Sequence, residues 1–294
     1  MTAQLIDGKA LAALKGQETA EQVEAFSRRT GIQPSLHVLL IGDHPPSYIY
    51  VKNKKKACDL VGIKSVVHQL PFGVSQEDVI RLIRLLNSQE DVHGVLVQLP
   101  LPEHLNAQEI LETLDPKKDV DGLHPYNLGR LLMKKPLLVP CTPQGCLQLI
   151  MSVENNIQGK TAVVIGRSLL VGRSLGALLT NYDVTVTLAH SKTKDLKEIS
   201  SKADILVAAI GSPEFITGDY IKEGAIVIDV GINRIFLKDG MSCLKGDVDF
   251  KEAKVIAGFI TPVPGGVGPM TISNLLINTV KAAQLHMDNI LYKS

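Results

Sequence analysis

Ser35-Leu-His-Val-Leu-Leu-Ile41-Gly42, with Pro45-Pro-Ser47-Tyr-Ile-Tyr50-Val-Lys-Asn-Lys54-Lys-Lys-Ala-Cys58 just behind it, decides the fold class of this chain. The first stretch is a short apolar run stopped by glycine, which reads as a buried strand. The second opens with two prolines and Ser47, a capping residue, and predicts a helix from about Ser47 to Val61. Tyr50 and Lys54 are four residues apart, so phenol and ammonium share one face, one turn from each other. Ile49, Ala57 and Leu60 are the expected packing residues, and Lys52, Lys55 and Lys56 the wet ones. A lysine whose pKa falls on desolvation suits proton transfer. A lysine-rich solvated face fits the same residues.

Working outward, the strand–helix rhythm repeats. An amphipathic helix at about Gly8–Arg28 precedes the strand, with Leu11, Leu14, Val23 and Phe26 on its inner side. Ser65–Leu70 reads as a strand and Ser75–Asn87 as a helix capped by Ser75, with Val79, Leu82, Ile83 and Leu86 inward. Gly94–Leu99 is the next strand. It delivers Gln98 to the carboxyl end, where a parallel sheet presents its site. A short helix at Asn106–Leu114 leads into the acidic turn Asp119-Val-Asp121-Gly122. Alternation of this kind means parallel βαβ units.

Pro125–Pro143 reads as a connector, and Gln144–Val153 as a helix. A second α/β series follows, with strands at Ala162–Ile165, Val184–Leu188, Ile205–Ala209, Ala225–Val230 and Val255–Ile260. A loop rich in proline and glycine, 262–269, precedes a last helix at about Thr271–Met287. Gly166, Gly172 and Gly176 follow the first of these strands without forming G-x-G-x-x-G. They fit a strand-to-helix turn that brings N–H groups to a pyrophosphate, or a plain tight turn. The next strand ends in Ala189-His-Ser191-Lys192-Thr193 with no carboxylate to hold a ribose 2′-hydroxyl. Arg167, Ser191 and Lys192 suit a 2′-phosphate, and Arg173 adds positive potential, which points to NADP.

Composition narrows the classes. At 294 residues there is room for two domains. With 45% hydrophobic residues and a net charge of +1, neither nucleic acid nor an anionic membrane is indicated as a partner. No apolar run approaches a membrane span. Cys58, Cys141, Cys146 and Cys243 lack metal-finger spacing, and no signal-peptide pattern follows Met1, so reduced thiols in a cytoplasm are expected. Scattered histidines suggest no metal.

Taken together, the motifs resemble one family, the bacterial-type methylenetetrahydrofolate dehydrogenase/cyclohydrolases. They are Tyr50-x-x-x-Lys54 with Lys56-Ala57-Cys58, Gly94-Val-Leu-Val-Gln98-Leu-Pro-Leu-Pro102, and Lys118-Asp-Val-Asp121-Gly-Leu-His-Pro125. Pro140-Cys-Thr-Pro143, Gly166-Arg-Ser168 with Val171-Gly172, His190-Ser-Lys192, Gly224–Asn233 and Thr261–Thr271 complete the set, in order along the chain.

The resemblance implies an N-terminal, three-layer-like α/β folate domain (residues 1–142 plus 270–294) and a C-terminal Rossmann-type NADP domain (143–269). A deep cleft would separate them, with the final helix packing back on the folate domain. It implies a homodimer through the nucleotide domains, and tetrahydrofolate one-carbon compounds as substrates. Lys54 would be the central catalytic residue, helped by Tyr50, Gln98 and Asp121. Tyr50, Val97, Leu99, Asp121, Pro264, Gly265 and Gly268 would bind substrate. Gly166, Arg167, Ser168, Val171, Gly172, Ser191, Ile232 and Thr271 would bind NADP. Asp121 would grip the pterin through paired hydrogen bonds. Cys141 is expected to be a buried small residue and not a nucleophile. Ser174 stands where the family usually has proline, with a small expected effect on NADP affinity. The competing readings are a shikimate-type NADP dehydrogenase and a folate- or NADP-binding protein without turnover.

Overall fold

The structure is a computed structural model that describes residues 2–236 and 241–291. The chain forms two compact units, one of Met1–Ala12 with Thr142–Thr271 and the other of Ala13–Cys141 with Ile272–Ser294. The last three residues of the expected segment 270–294 lie outside the described ones. The first dozen residues differ from the expected division. Strand β1 (Gln4–Leu5) pairs in parallel with β11 (Phe259–Ile260), and these backbone bonds tie the N-terminus to the nucleotide-type sheet.

The 13–141 unit is built on a three-stranded parallel sheet, β3 (Lys64–Leu70), β2 (Ser35–Ile41) and β4 (Gly94–Val97), in that order. Alternate residues of β2 feed two cores because successive side chains point to opposite faces. Leu36, Val38 and Leu40 pack with Val23 of α1 (Gly8–Thr30), Val51, Cys58 and Val61 of α2 (Pro45–Val61), and Leu275, Leu276 and Val280 of α10 (Val267–Leu291). Leu39 and Ile41 pack with Val79, Ile83 and Leu86 of α3 (Gln76–Ser88) and Ile110 of α4 (Ala107–Glu112). This is a three-layer sandwich. Ser75 caps α3, its hydroxyl accepting from the Asp78 N–H, a bond worth about 1 kcal/mol.

The other unit holds a six-stranded parallel sheet. Its order is β1, β11, β8 (Ile226–Asp229), β7 (Ile205–Ala208), β5 (Thr161–Ile165), β6 (Thr185–Ala189). A hairpin of β9 (Asn233–Phe236) and β10 (Ser242–Lys245) was not anticipated from the sequence.

Several expectations are corrected. Helix α2 starts at Pro45 with His44 as N-cap, because proline at the first helical position loses no hydrogen bond; Ser47 sits inside the helix and is buried. Ile49 and Leu60 are exposed, as is Leu14 of α1. The expected connector 125–143 contains a helix, α5 (Pro125–Leu132), again opened by proline and capped by the His124 ring, which accepts from the Tyr126 N–H. Residues 255–256 end a helix, α9 (Phe250–Ile256), and only Phe259–Ile260 form a strand. Gly268 and Pro269 belong to the first turn of α10, where the missing proline N–H has no partner to lose.

Candidate active site

The buried face of α2 runs Ser47, Val51, Lys54, Cys58, Val61, the 4-3-4-3 spacing of a helical stripe. Lys54 lies in the middle of it, 9% exposed, while Lys52, Lys55 and Lys56 are open to solvent. Its Nζ donates to Gln98 Oε1 at 3.0 Å. Gln98 follows β4 and is held at both ends: its N–H donates to Leu39 O at 2.9 Å and its Nε2 to Leu99 O at 2.7 Å. The Leu99–Pro100 peptide bond is cis. Burial pushes the Lys54 ammonium below the usual lysine range, opposed chiefly by the Asp121 carboxyl and then by Cys141 and Cys58. Such an amine can exist uncharged nearer to neutrality than an exposed lysine. Tyr50, one turn earlier, is 38% exposed, and burial raises its phenol. Val97 is buried within β4.

Asp121 is placed by a turn that is fixed on several sides. Asp119, 1% exposed, accepts from the His124 N–H at 2.7 Å and Asn127 Nδ2 at 3.0 Å; burial still pushes its carboxyl up to about 6. Gly122 has φ +74, and a Cβ there would stand 2.6 Å from Pro140 N, so only glycine lets the turn close on 139–141. Asn278 of α10 donates to Val120 O at 2.9 Å and Val139 O at 2.8 Å, and the Cys141 thiol also donates to Val120 O at 3.2 Å. Burial raises the Asp121 carboxyl, with Lys54 pulling it back down. Cys141 is 1% exposed and its thiol is driven well above its ordinary range by burial and the Asp121 charge, which keeps it protonated and weakly nucleophilic. Nothing local in the sequence marks Asn278 for this arrangement, since a lone asparagine in a helical pattern gives no signal.

In the other unit the turn after β5 is so tight that two of its positions require glycine. Gly166 has φ +126, and a Cβ on it would fall 2.1 Å from Ala209 O. One on Gly172 would fall 2.0 Å from Gly166 O. The space a side chain would fill is therefore taken up by close backbone. Ser168 Oγ accepts from the Val171 N–H at 3.2 Å, opening a wide π-helical turn (Leu169–Arg173) that runs into α7 (Ser174–Asn181). Ser174 donates its hydroxyl to Leu169 O and its N–H to Val171 O, bonds that serve the helix start where proline would have stiffened it. Arg167, Ser168, Arg173, Ser191 and Lys192 are all exposed, and the His190–Thr193 turn after β6 is closed by Thr193 Oγ1 accepting from the His190 N–H at 2.9 Å. These residues fit an NADP molecule: glycines at the phosphates, and cations with hydroxyls at the next strand end.

Pro264, Gly265 and Gly268 lie in or beside the segment before α10, with Val263–Pro264 cis and Gly265 at φ +112. Gly268 sits against Ile232, whose Cδ1 is 3.5 Å from where a Cβ would be. Thr271 shares a hydrogen bond with Thr142, Oγ1 to Oγ1 at 3.1 Å. Two buried carboxylates went unread in the sequence. Asp229 accepts from the N–H groups of Gly231, Asp247 and Val248, and burial pushes it up to about 6. Asp247 accepts from the loop after β7 and from Asn233 at the start of β9. Among the described residues no group of three or more His, Cys, Asp or Glu is arranged to hold a metal ion. None of the described helices is long and apolar enough to cross a membrane.

Two family models cover most of the chain. The tetrahydrofolate dehydrogenase/cyclohydrolase catalytic domain matches residues 6–121, and the NAD(P)-binding domain of the same enzymes matches 140–287. A relative called bifunctional protein FolD, from Polynucleobacter asymbioticus, is 50% identical over 97% of this chain and 98% of its own. The chain belongs to the tetrahydrofolate dehydrogenase/cyclohydrolase family. The solved structure of the Trypanosoma brucei methylenetetrahydrofolate dehydrogenase-cyclohydrolase, complexed with NADP cofactor and inhibitor, superposes with a TM-score of 0.93 at 39% identity, over 98% of this chain and 99% of that one. Shikimate dehydrogenase from Aquifex aeolicus reaches a TM-score of 0.52 at 15% identity, over 86% of this chain and 97% of its own, and shares the fold alone.

Proposed function

We propose that this chain carries both activities of its family. It oxidises 5,10-methylenetetrahydrofolate to 5,10-methenyltetrahydrofolate in an NADP-dependent step, then hydrolyses the product to 10-formyltetrahydrofolate. NADP+, when bound, supplies the hydride acceptor for the methylene carbon. Gly166, Arg167, Ser168, Val171, Gly172, Ser191, Ile232 and Thr271 hold it, with Arg167 and Ser191 at the 2′-phosphate.

The observation that carries the reading is the buried Lys54 ammonium, bonded to Gln98 and drawn toward Asp121. In the hydrolysis a water oxygen bonds to the methenyl carbon and loses one proton; the bond from that carbon to N5 then breaks as N5 gains a proton, and the remaining hydroxyl proton leaves to solvent as the formyl C=O forms. Lys54, uncharged, takes the proton from water and returns it to N5; Gln98 Oε1 orients the amine. Asp121 accepts paired N–H bonds from the pterin, and Tyr50, with Val97 and Leu99, orients the folate. Hydride transfer needs alignment more than proton movement, so it leans on Tyr50 and on the segment with Pro264, Gly265 and Gly268.

The test is an absorbance assay with methylenetetrahydrofolate and NADP+ or NAD+, followed by methenyltetrahydrofolate alone. Reduced NADP and accelerated methenyl loss are expected. Methenyl folate surviving at its buffer rate would remove the hydrolase half.

A homodimer through the nucleotide units and a cytoplasmic location complete the proposal. Phe236 and Leu244, 75% and 38% exposed on the β9–β10 hairpin, support the first. The free thiols of Cys58, Cys141, Cys146 and Cys243 support the second. A monomer in sedimentation equilibrium would refute the dimer.

A further inference from the structure

The loops after β7 and β8 are tied together by one carboxylate. Asp247 has no exposed surface, and it accepts from the backbone N–H groups of Ile210 at 2.7 Å, Gly211 at 3.0 Å and Ser212 at 2.9 Å, and from Asn233 Nδ2 at 2.9 Å. Three donors from the loop after β7 and one from the first residue of β9 thus meet on a side chain carried by a third segment. That segment is itself anchored, because Asp229 accepts from the Asp247 N–H at 2.9 Å and the Val248 N–H at 3.0 Å. The fit leaves no slack. A Cβ on Gly231 would stand 2.3 Å from Asp247 Cγ, and one on Gly246 only 1.8 Å from Asp229 Oδ2.

The loops so held abut the phosphate turn on one side and Gly268 on the other. Ala209, next to Ile210, presents the carbonyl that crowds Gly166 in the phosphate turn. Ile232, next to Gly231, packs on Gly268. In the order β8, β7, β5, β6, the phosphate turn follows β5 and the 2′-phosphate residues follow β6. A dinucleotide laid across the carboxyl ends of these strands must then run its nicotinamide half over β7 and β8.

We propose that Asp247 is a positioning residue for the nicotinamide half of the cofactor: it fixes the Ile210–Ser212 loop and Asn233 as the wall against which that half is bound. The inference rests on the dehydrogenase reading above. A carboxylate suits the task because it accepts four hydrogen bonds at once and makes each of them stronger than a neutral acceptor would.

The test exploits the two reactions of one polypeptide, since hydrolysis of methenyl folate uses no nucleotide. In Asp247→Asn the amide nitrogen faces backbone donors, so about half of the bonds are lost. The KM for NADP+ should rise roughly 10- to 100-fold while KM and kcat for methenyl folate hydrolysis stay put. An unchanged KM for NADP+, or an equal fall in both reactions, would overturn the proposal. Should that variant not fold, Asn233→Ala removes a single donor, and the same split at smaller amplitude is required. A wild-type protein inactive on both substrates would instead sink the functional reading itself.

Discussion

Replacing Lys54 with methionine separates proton transfer from alignment in this site. Methionine keeps the length and apolar stem of the side chain but removes the ammonium and its bond to Gln98, 3.0 Å away. For stability two effects of similar size oppose each other. Gln98 Oε1 loses its donor, a cost of about 1–3 kcal/mol. A buried charge is removed from the α2 stripe, which returns a comparable amount. The melting temperature should therefore change little, and any loss of rate is chemical. A general acid–base group contributes about 10²- to 10⁴-fold, or about 3–5 kcal/mol of barrier. Methenyl folate hydrolysis should fall by that factor, while NADP reduction from methylene folate persists. The pH profile gives a second reading. Burial lowers the Lys54 pKa, so the uncharged amine forms at lower pH than in a free lysine, and the hydrolytic rate should climb with pH through that value. This limb should vanish in Lys54→Met. Both quantities come from following reduced nicotinamide and methenyl folate by absorbance across a pH series. Hydrolysis at the wild-type rate in the variant would refute the assignment.

Other consequences can be checked with the same protein. Arg167→Ser should raise the KM for NADP+ roughly tenfold and leave NAD+ unaffected, because one charge-assisted bond is lost; equal effects on both would remove Arg167 from the 2′-phosphate. Asn278→Leu removes the amide donor from the carbonyls of Val120 and Val139 beside the Asp121 turn, leaving Val120 O only the Cys141 thiol. It should cost about 1–3 kcal/mol in urea unfolding, and raise the KM for folate but not for NADP+. The buried rings of His37 and His93 are held down to about 4, chiefly by burial. Each must take up a proton on unfolding below about pH 6.5, so they withdraw stability as pH falls from 6.5 to 4. Asp119 and Asp229, pushed up to about 6, act in the opposite sense: their stabilisation is lost as pH rises from about 4 to 6. His93→Asn keeps an acceptor for the Ser35 N–H but removes one titrating ring. Relative to wild type, its urea midpoint should rise as the pH is lowered from 6.5 to 4, and a parallel pair of curves would count against the assignment.

Much of this molecule could be read along the chain. Buried parallel strands such as SLHVLLI declare themselves because both faces are covered, and the 35–41 boundaries hold to the residue. Ser75 and Asn106 mark helix starts because a capping side chain acts within three residues of itself. Where prolines open helices at Pro45, Pro125 and in the first turn of α10, the sequence misled, since the same residue stiffens a connector or begins a helix. The β9–β10 hairpin and the two-residue strands β1 and β11 are too short to leave a period.

Sequence alone determined the two βαβ series, the one-turn spacing of Tyr50 and Lys54, the absence of a carboxylate after β6, and the family these motifs belong to. Only the tertiary structure decided which lysine of Lys52, Lys54, Lys55 and Lys56 is desolvated, and that Gln98, 44 positions away, is its partner. It also decided that Asn278 clamps the Asp121 turn from 158 positions away, and that Asp247 gathers four donors from the loop after β7 and the start of β9. The reason is one of range. Strand periodicity and helix caps act between near neighbours, whereas desolvation and convergent hydrogen bonds are set by segments that meet only once the chain has folded.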